Sequence, residues 1–188
     1  MLIKKLSDNS KEYLDLYYQI VDNMKNQMFA IEPCNSISQT YIQQILPHKE
    51  GAISLSENIL KYTTDVDIET LAKAIIENQN ASMEYLRSII DECTCHTNSE
   101  RDVNLYQRKA IEIITNMITK LNSISANNNL NALYLQALIY HHEGGINLAK
   151  NALGYDICPK LKQQINEQII KNTAELTLIK NLLNNYRR

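Results

Sequence analysis

The chain has 188 residues, 44% of them hydrophobic, with four Gly, three Pro and four Cys and a formal net charge of −2. That length can bury a real core as one or two small domains, and so few Gly and Pro argue against a turn-rich β fold. Lysine and arginine form no stripe beyond the terminal pair Arg187–Arg188, so no nucleic-acid partner is expected, because neutralising phosphates takes clustered cations.

The N-terminus is basic but turns polar after six residues, with no apolar region of a secretory signal behind it. Nothing approaches the roughly 20 apolar residues of a membrane span. The expected address is therefore cytoplasmic, with no membrane partner. There the cysteines stay reduced, which favours thiol, metal-ligand or packing roles.

In chain order, the spacing predicts a first helix over about 10–31, capped by Asp8 or Ser10, with Tyr13, Tyr17, Ile20, Met24 and Ile31 on one stripe. Pro33 breaks it, since proline cannot donate and restrains the residue before it. A second helix, opened by Ser36 or Ser38, runs to about Lys61 with Tyr41, Ile45, His48, Ala52, Leu55 and Ile59 on its seam. Thr63 to Asp65 offers a turn and N-caps. A third helix carries Ile68, Leu71, Ile75, Ile76, Met83, Leu86 and Ile90, and the polar run from Glu92 to Ser99 ends it. Ser99 and Asp102 have capping-box spacing. Three more helices follow over about 102–124, 130–153 and 159–185, the second stopped by Gly154 and the third opened by Pro159.

The second set of three repeats the first. Ile45 to Ile53 returns as Leu138 to Ile146, an offset of 93 positions, at which Tyr13 meets Tyr106, Met24 meets Met117, Tyr41 meets Tyr134 and Tyr62 meets Tyr155. An internal duplication is expected, with repeats at 1–97 and 98–188 fused into one domain. The fold class is all-α: an antiparallel, ferritin-like bundle of about six helices from two tandem three-helix repeats.

His48 and His141 occupy seam positions where an apolar residue is expected, each with a small residue one turn later, Ala52 and Gly145. Counting back from the breaks places Met24 within about a turn of His48 and Met117 likewise near His141. Counting from the next turn brings Gln79 and Met83 to the same level. Imidazole plus thioether suits a soft or borderline metal, copper above all. Pro47 adds an expected kink beside His48. A histidine on a seam also serves as a hydrogen-bonded core group, and methionine is ordinary core filler. A His facing a Met or polar group across a small cavity favours metal, whereas a His donating to a backbone carbonyl in tight packing favours a scaffold.

Pro47-His48-Lys49-Glu50-Gly51-Ala52-Ile53 and His141-His142-Glu143-Gly144-Gly145-Ile146 resemble the signature of the DUF305 family, a Met-Ile-Pro-His-His-x-x-Ala-Ile type motif. The resemblance covers about 41–90 and 134–183. It implies a ferritin-like helical bundle and, by analogy with copper-binding members, Met and His ligands. Carried over, the histidine pair falls on His48 alone in the first half, where Lys49 replaces its partner, and on His141 and His142 in the second. Tyr140 stands for the family's Pro and Gly145 for its Ala.

A di-iron carboxylate site needs Glu-x-x-His, and Ile45, Cys93, Leu138 and Ile139 stand where those glutamates belong. No His-Glu-x-x-His, P-loop or Gly-rich dinucleotide turn occurs, so no enzyme activity and no nucleotide or organic cofactor are expected. Alternating six helices brings Cys34, Cys93, Cys95, His96 and Cys158 to one end, a metal or redox site or a scatter of loop cysteines.

The expected function is a non-enzymatic metal-binding protein. His48, His141 and His142 are its ligand candidates, with Met24 and Met117 as soft auxiliaries, copper its first candidate metal and zinc its second. The second half, with both histidines, is expected to bind better. The alternative is a scaffold with core histidines and a homodimeric or other protein partner.

Overall fold

Tyr13 and Tyr106 show how each half is put together. Each is wholly buried, and each accepts on its backbone carbonyl a bond from an asparagine, Asn58 at 3.0 Å and Asn151 at 3.1 Å. Each also packs edge-on against a second tyrosine, Tyr62 or Tyr155, with ring centroids 5.9 Å apart. Aromatic pairs prefer this edge geometry, and the amides satisfy carbonyls that the packing hides from water.

A computed structural model describes residues 5–186. Arg187, Arg188 and the first four residues of the basic N-terminus lie outside the described residues. The chain is all-α: α1 Asp8–Phe29, α2 Ile37–Leu60, α3 Val66–Thr94, α4 Glu100–Asn122, α5 Leu130–Leu153 and α6 Pro159–Asn185, with no strand among the described residues. Helices α2 and α5 form the central pair. Around it α1 packs on α2 and α4 on α5, while α3 and α6 cover the same two helices and touch each other. One apolar core runs through both halves, from Tyr13 and Ile42 to Leu138 and Ile165.

The caps explain where the helices begin. Ser7, Ser36, Asp65, Ser99 and Asn129 each accept a backbone N–H of the first turn, satisfying donors that have no partner within the helix. The first cap is thus Ser7, one residue before the expected Asp8. At α4 the Ser99 hydroxyl donates to the Asp102 carboxylate at 2.8 Å while accepting the Asp102 N–H at 3.2 Å. Aspartate is too short to reach back to the cap's own N–H as a glutamate does.

Three expectations are corrected. Helix α1 stops at Phe29, so Ile31 leaves the stripe and is only half-buried, because Pro33 forces the chain into extended backbone ahead of it. Helix α3 runs on to Thr94, which places Cys93 inside the last turn and not in the connection. Gly154 caps α5 at φ −72°, a right-handed conformation open to any residue, so no left-handed glycine turn ends that helix.

The ends of the bundle are tied by asparagine. Asn98 donates from its backbone to Asn35 and from its side chain to Asp156, and accepts the Ile37 N–H. The first, third and fifth connections therefore meet at one end. At the other, Asn128 bonds Ser7 and Lys5. No helix of the described residues is long and apolar enough to cross a membrane.

Candidate functional site

His48 on α2 and His141 on α5 meet at the centre of the bundle. Each Nε2 reaches the other's backbone carbonyl, His48 to His141 at 3.1 Å and His141 to His48 at 2.9 Å. The rings stack with centroids 3.7 Å apart and planes 27° from parallel. A carbonyl only accepts, so each Nε2 carries the proton. Burial is the largest influence on both rings. It holds His48 well below the usual imidazole range, helped by the charges of His141 and Lys49, and it pushes His141 to about 3, helped by His142. Both imidazoles are thus neutral at pH 7, and a neutral Nε2–H ring presents its lone pair at Nδ1.

Small residues make room for this. A Cβ at Gly145 would stand 2.8 Å from Cε1 of His48, and the corresponding Ala52 is fully buried. The glycine before each sequence-selected small residue is as important. A Cβ at Gly144 would lie 2.3 Å from the sulfur of Met117, and one at Gly51 2.6 Å from that of Met24. Met24 therefore lies about a turn beyond His48 along α2, as expected. The His48 ring turns the other way, onto α5, where it lies on the residue next to the one under Met117. The sequence had placed imidazole and thioether within one half; instead the His48 ring crosses to Gly145 of the other half, while each sulfur stays against the glycine of its own half. Gly51 and Gly144 repeat at the offset, which was the available signal for their role.

His142 is engaged differently. Its Nδ1 donates to the Leu138 carbonyl at 2.9 Å, and its Nε2 lies 3.0 Å from Oε2 of Glu175. Both nitrogens face acceptors, which leaves no lone pair for a metal while the ring bonds both. Burial raises the Glu175 carboxyl. The bond and charge of His142, the Asn78 amide and Lys171 outweigh that and leave it below the usual carboxylate range. The Glu175 carboxylate thus satisfies the Nε2 side of the buried His142 ring.

Lys49 takes the matching place in the first half. Its ammonium is buried and donates to Oε1 of Gln79 at 2.9 Å. Burial pulls its pKa down to about 8, with Glu175 resisting and Lys171 assisting. Asn78 bonds Glu175 at 3.0 Å and accepts from Lys171 at 2.6 Å. Gln79 thus serves Lys49, not His48. Between these groups lies a cavity of about 10 Å³, space for one water centre, lined among others by His48, Lys49, Gln79, His141, His142 and Asn172. Glu175 escaped the sequence reading because its counterpart at the offset is Ser82. The signal was chemical: two basic residues at equivalent inward positions call for a buried anion.

The repeated glutamates face outward, Glu50 to Arg87 at 3.2 Å and Glu143 to Lys120 at 3.5 Å and Lys180 at 3.2 Å. At the cysteine end, Cys34 bonds Ser36 beside it and Gln39 in the first turn of α2, Cys95 is exposed, and His96 lies 3.1 Å from Asp156. Among the described residues no three His, Cys, Asp or Glu side chains converge as a metal cluster. A four-coordinate nitrogen–sulfur–carboxylate site of the zinc kind is therefore not preformed there.

Residues 38–183 match DUF305, a domain of unknown function, and the chain belongs to that family. Among solved structures it is similar to CopM in a silver-bound form, at 18% identity and a TM-score of 0.58, over 79% of this chain and 96% of that one. The Cu(II)-bound form of CopM gives 17% identity and 0.58, over 79% and 97%. A DUF305 fragment from Deinococcus radiodurans gives 15% identity and 0.59, over 82% and 99%. At these identities the likeness is one of fold. No curated protein matches.

Proposed function

Taking DUF305 membership as the premise, we propose that the chain is a non-enzymatic binder of a soft metal ion, copper first. His48 and His141 would serve as ligands through Nδ1, with the thioethers of Met24 and Met117 as auxiliaries. One observation carries this reading: burial keeps both rings neutral, and with Nε2–H engaged each retains an unprotonated Nδ1, the nitrogen that a soft metal takes. Ligating histidines characteristically donate their second N–H in this way, which fixes the tautomer and raises the basicity of the other nitrogen. Neutral imidazole and thioether together favour copper(I) over oxygen-loving ions. His142 joins the set only by giving up Glu175 or Leu138. The copper- and silver-bound forms of a protein of the same fold support the choice of metal. Such an ion would be held as cargo.

The scaffold reading has the observation that the sequence named for it, each histidine donating to a backbone carbonyl in tight packing. Both Nε2 atoms are satisfied within a buried stack, as a purely structural polar core requires. Calorimetric titration of reduced protein with Cu(I), Ag(I) and Zn(II) separates the two. The expected result is stoichiometric Cu(I) and Ag(I) binding with weaker Zn(II). It is expected to fall at least tenfold in a Met24→Leu/Met117→Leu variant, a volume-conserving change that leaves the fold intact. Absence of Cu(I) and Ag(I) binding would leave the scaffold.

A further inference from the structure

Cys93 and Cys158, 65 positions apart, are both in the core, 0% and 3% exposed. Both are anchored on the first turn of α2. The Ser36 hydroxyl donates to the Cys93 carbonyl at 3.0 Å, and the Cys158 N–H donates to the Ser38 hydroxyl at 2.9 Å. Their surroundings are stitched together as well, with Lys160 on Glu92 at 2.6 Å and Asn98 on Asp156 at 2.6 Å. Helix α6 has no side-chain cap of its own, and the Cys158 thiol and the Leu161 N–H both act electrostatically on the Cys93 thiol. Two buried cysteines from opposite halves are thus drawn to one place at the start of α2, while Cys34 and Cys95 are occupied or exposed elsewhere.

We propose that Cys93 and Cys158 are a convertible dithiol whose disulfide locks the end of α3 to the start of α6. The oxidant is a small-molecule disulfide of the glutathione class. One protein thiolate attacks a sulfur of that disulfide, whose S–S bond breaks and releases a first thiol that carries a proton. The second cysteine then attacks the protein-side sulfur of the mixed disulfide and displaces a second thiol. Two protein thiols lose two electrons and two protons, and one small disulfide becomes two thiols. Cys158, at the edge of the connection, is the first attacker. Burial, then Cys158 and Glu92, push the Cys93 thiol up to about 12, so it reacts second. Neither sulfur is open to solvent, so the rate follows opening of the connection at 154–158.

The proposal stands independently of metal binding and is tested on the full chain with chelator present. Protein is equilibrated across reduced-to-oxidised glutathione ratios, denatured, alkylated and mapped by mass. The expected product is two hydrogens lighter, with Cys93 joined to Cys158 and Cys34 and Cys95 alkylated. Its Tm is expected to exceed that of the reduced form by roughly 5–10 °C, as closing a long loop constrains the unfolded chain. Cys93 and Cys158 both alkylated at the most oxidising ratio, or a bridge through Cys34 or Cys95, would overturn it.

Discussion

Metal-free protein is expected to lose at least about 2 kcal/mol of stability between pH 7 and pH 5, read as a fall in the urea midpoint. The sign follows from the direction of the histidine shifts. His48 lies well below 6.5 in the fold and His141 lies at about 3. The unfolded chain therefore takes up protons from about pH 6.5 downward while the folded chain does not. His141 alone costs about 2 kcal/mol by pH 5 at roughly 1.4 kcal/mol per pH unit, and His48 acts in the same direction. Glu175 is also held below its usual range, but its contribution is lost only as the pH falls further, below about 4.5. A His48→Gln/His141→Gln variant keeps an amide donor for each carbonyl and does not titrate, so its midpoint is expected to stay flat from pH 7 to 5. A wild-type midpoint unchanged over that range would show that the pair accepts protons without cost, against the stacked neutral arrangement.

Removing the half-buried anion Glu175 is expected to be the most damaging single change. Glu175→Ala strips the partner from His142 and the nearest counter-charge from Lys49. It should cost about 3–5 kcal/mol, the usual penalty for leaving a buried charge uncompensated. Lys49→Met, by contrast, removes a desolvated ammonium and fills its volume, and should change stability by less than about 1 kcal/mol or raise it. Its pH signature is distinctive. The Lys49 pKa of about 8 lies below the unfolded 10.5, so the folded chain releases a proton that the unfolded chain keeps. Wild-type stability gains from that group as pH rises from 8 to 10.5. Comparing wild type with Lys49→Met at each pH cancels the tyrosines and cysteines, and the difference should move in favour of wild type across that window. Equal behaviour of Glu175→Ala and Lys49→Met in denaturant would contradict the charge network.

The helices were legible because their seams, caps and breaks are local. The apolar spacing of Tyr13, Tyr17, Ile20 and Met24, the serine caps and Pro33 specify elements without reference to the rest of the chain. The importance of His48 and His141 was legible too, as polar residues on a seam. What local pattern does not carry is rotation across an interface. A count of residues from a turn gives the level of Met24 and His48 along the bundle, but not that the ring crosses to Gly145 while the sulfur settles on Gly51. Glu175 was invisible for a related reason, because its partner Lys49 replaces a histidine and its own counterpart is a serine. The joining of the three connections by one asparagine, Asn98, likewise depends on contacts 58 and 61 positions away.

The most direct test is long-range ¹H–¹⁵N correlation of the four imidazoles at pH 7, before and after one equivalent of Ag(I). For His48 and His141 the account predicts the Nε2–H tautomer without metal, Nδ1 unprotonated, and a marked shift of both Nδ1 signals on silver addition. Nδ1–H tautomers, or Nδ1 signals that do not move with silver, would contradict it and leave the histidine pair as a structural clasp between α2 and α5.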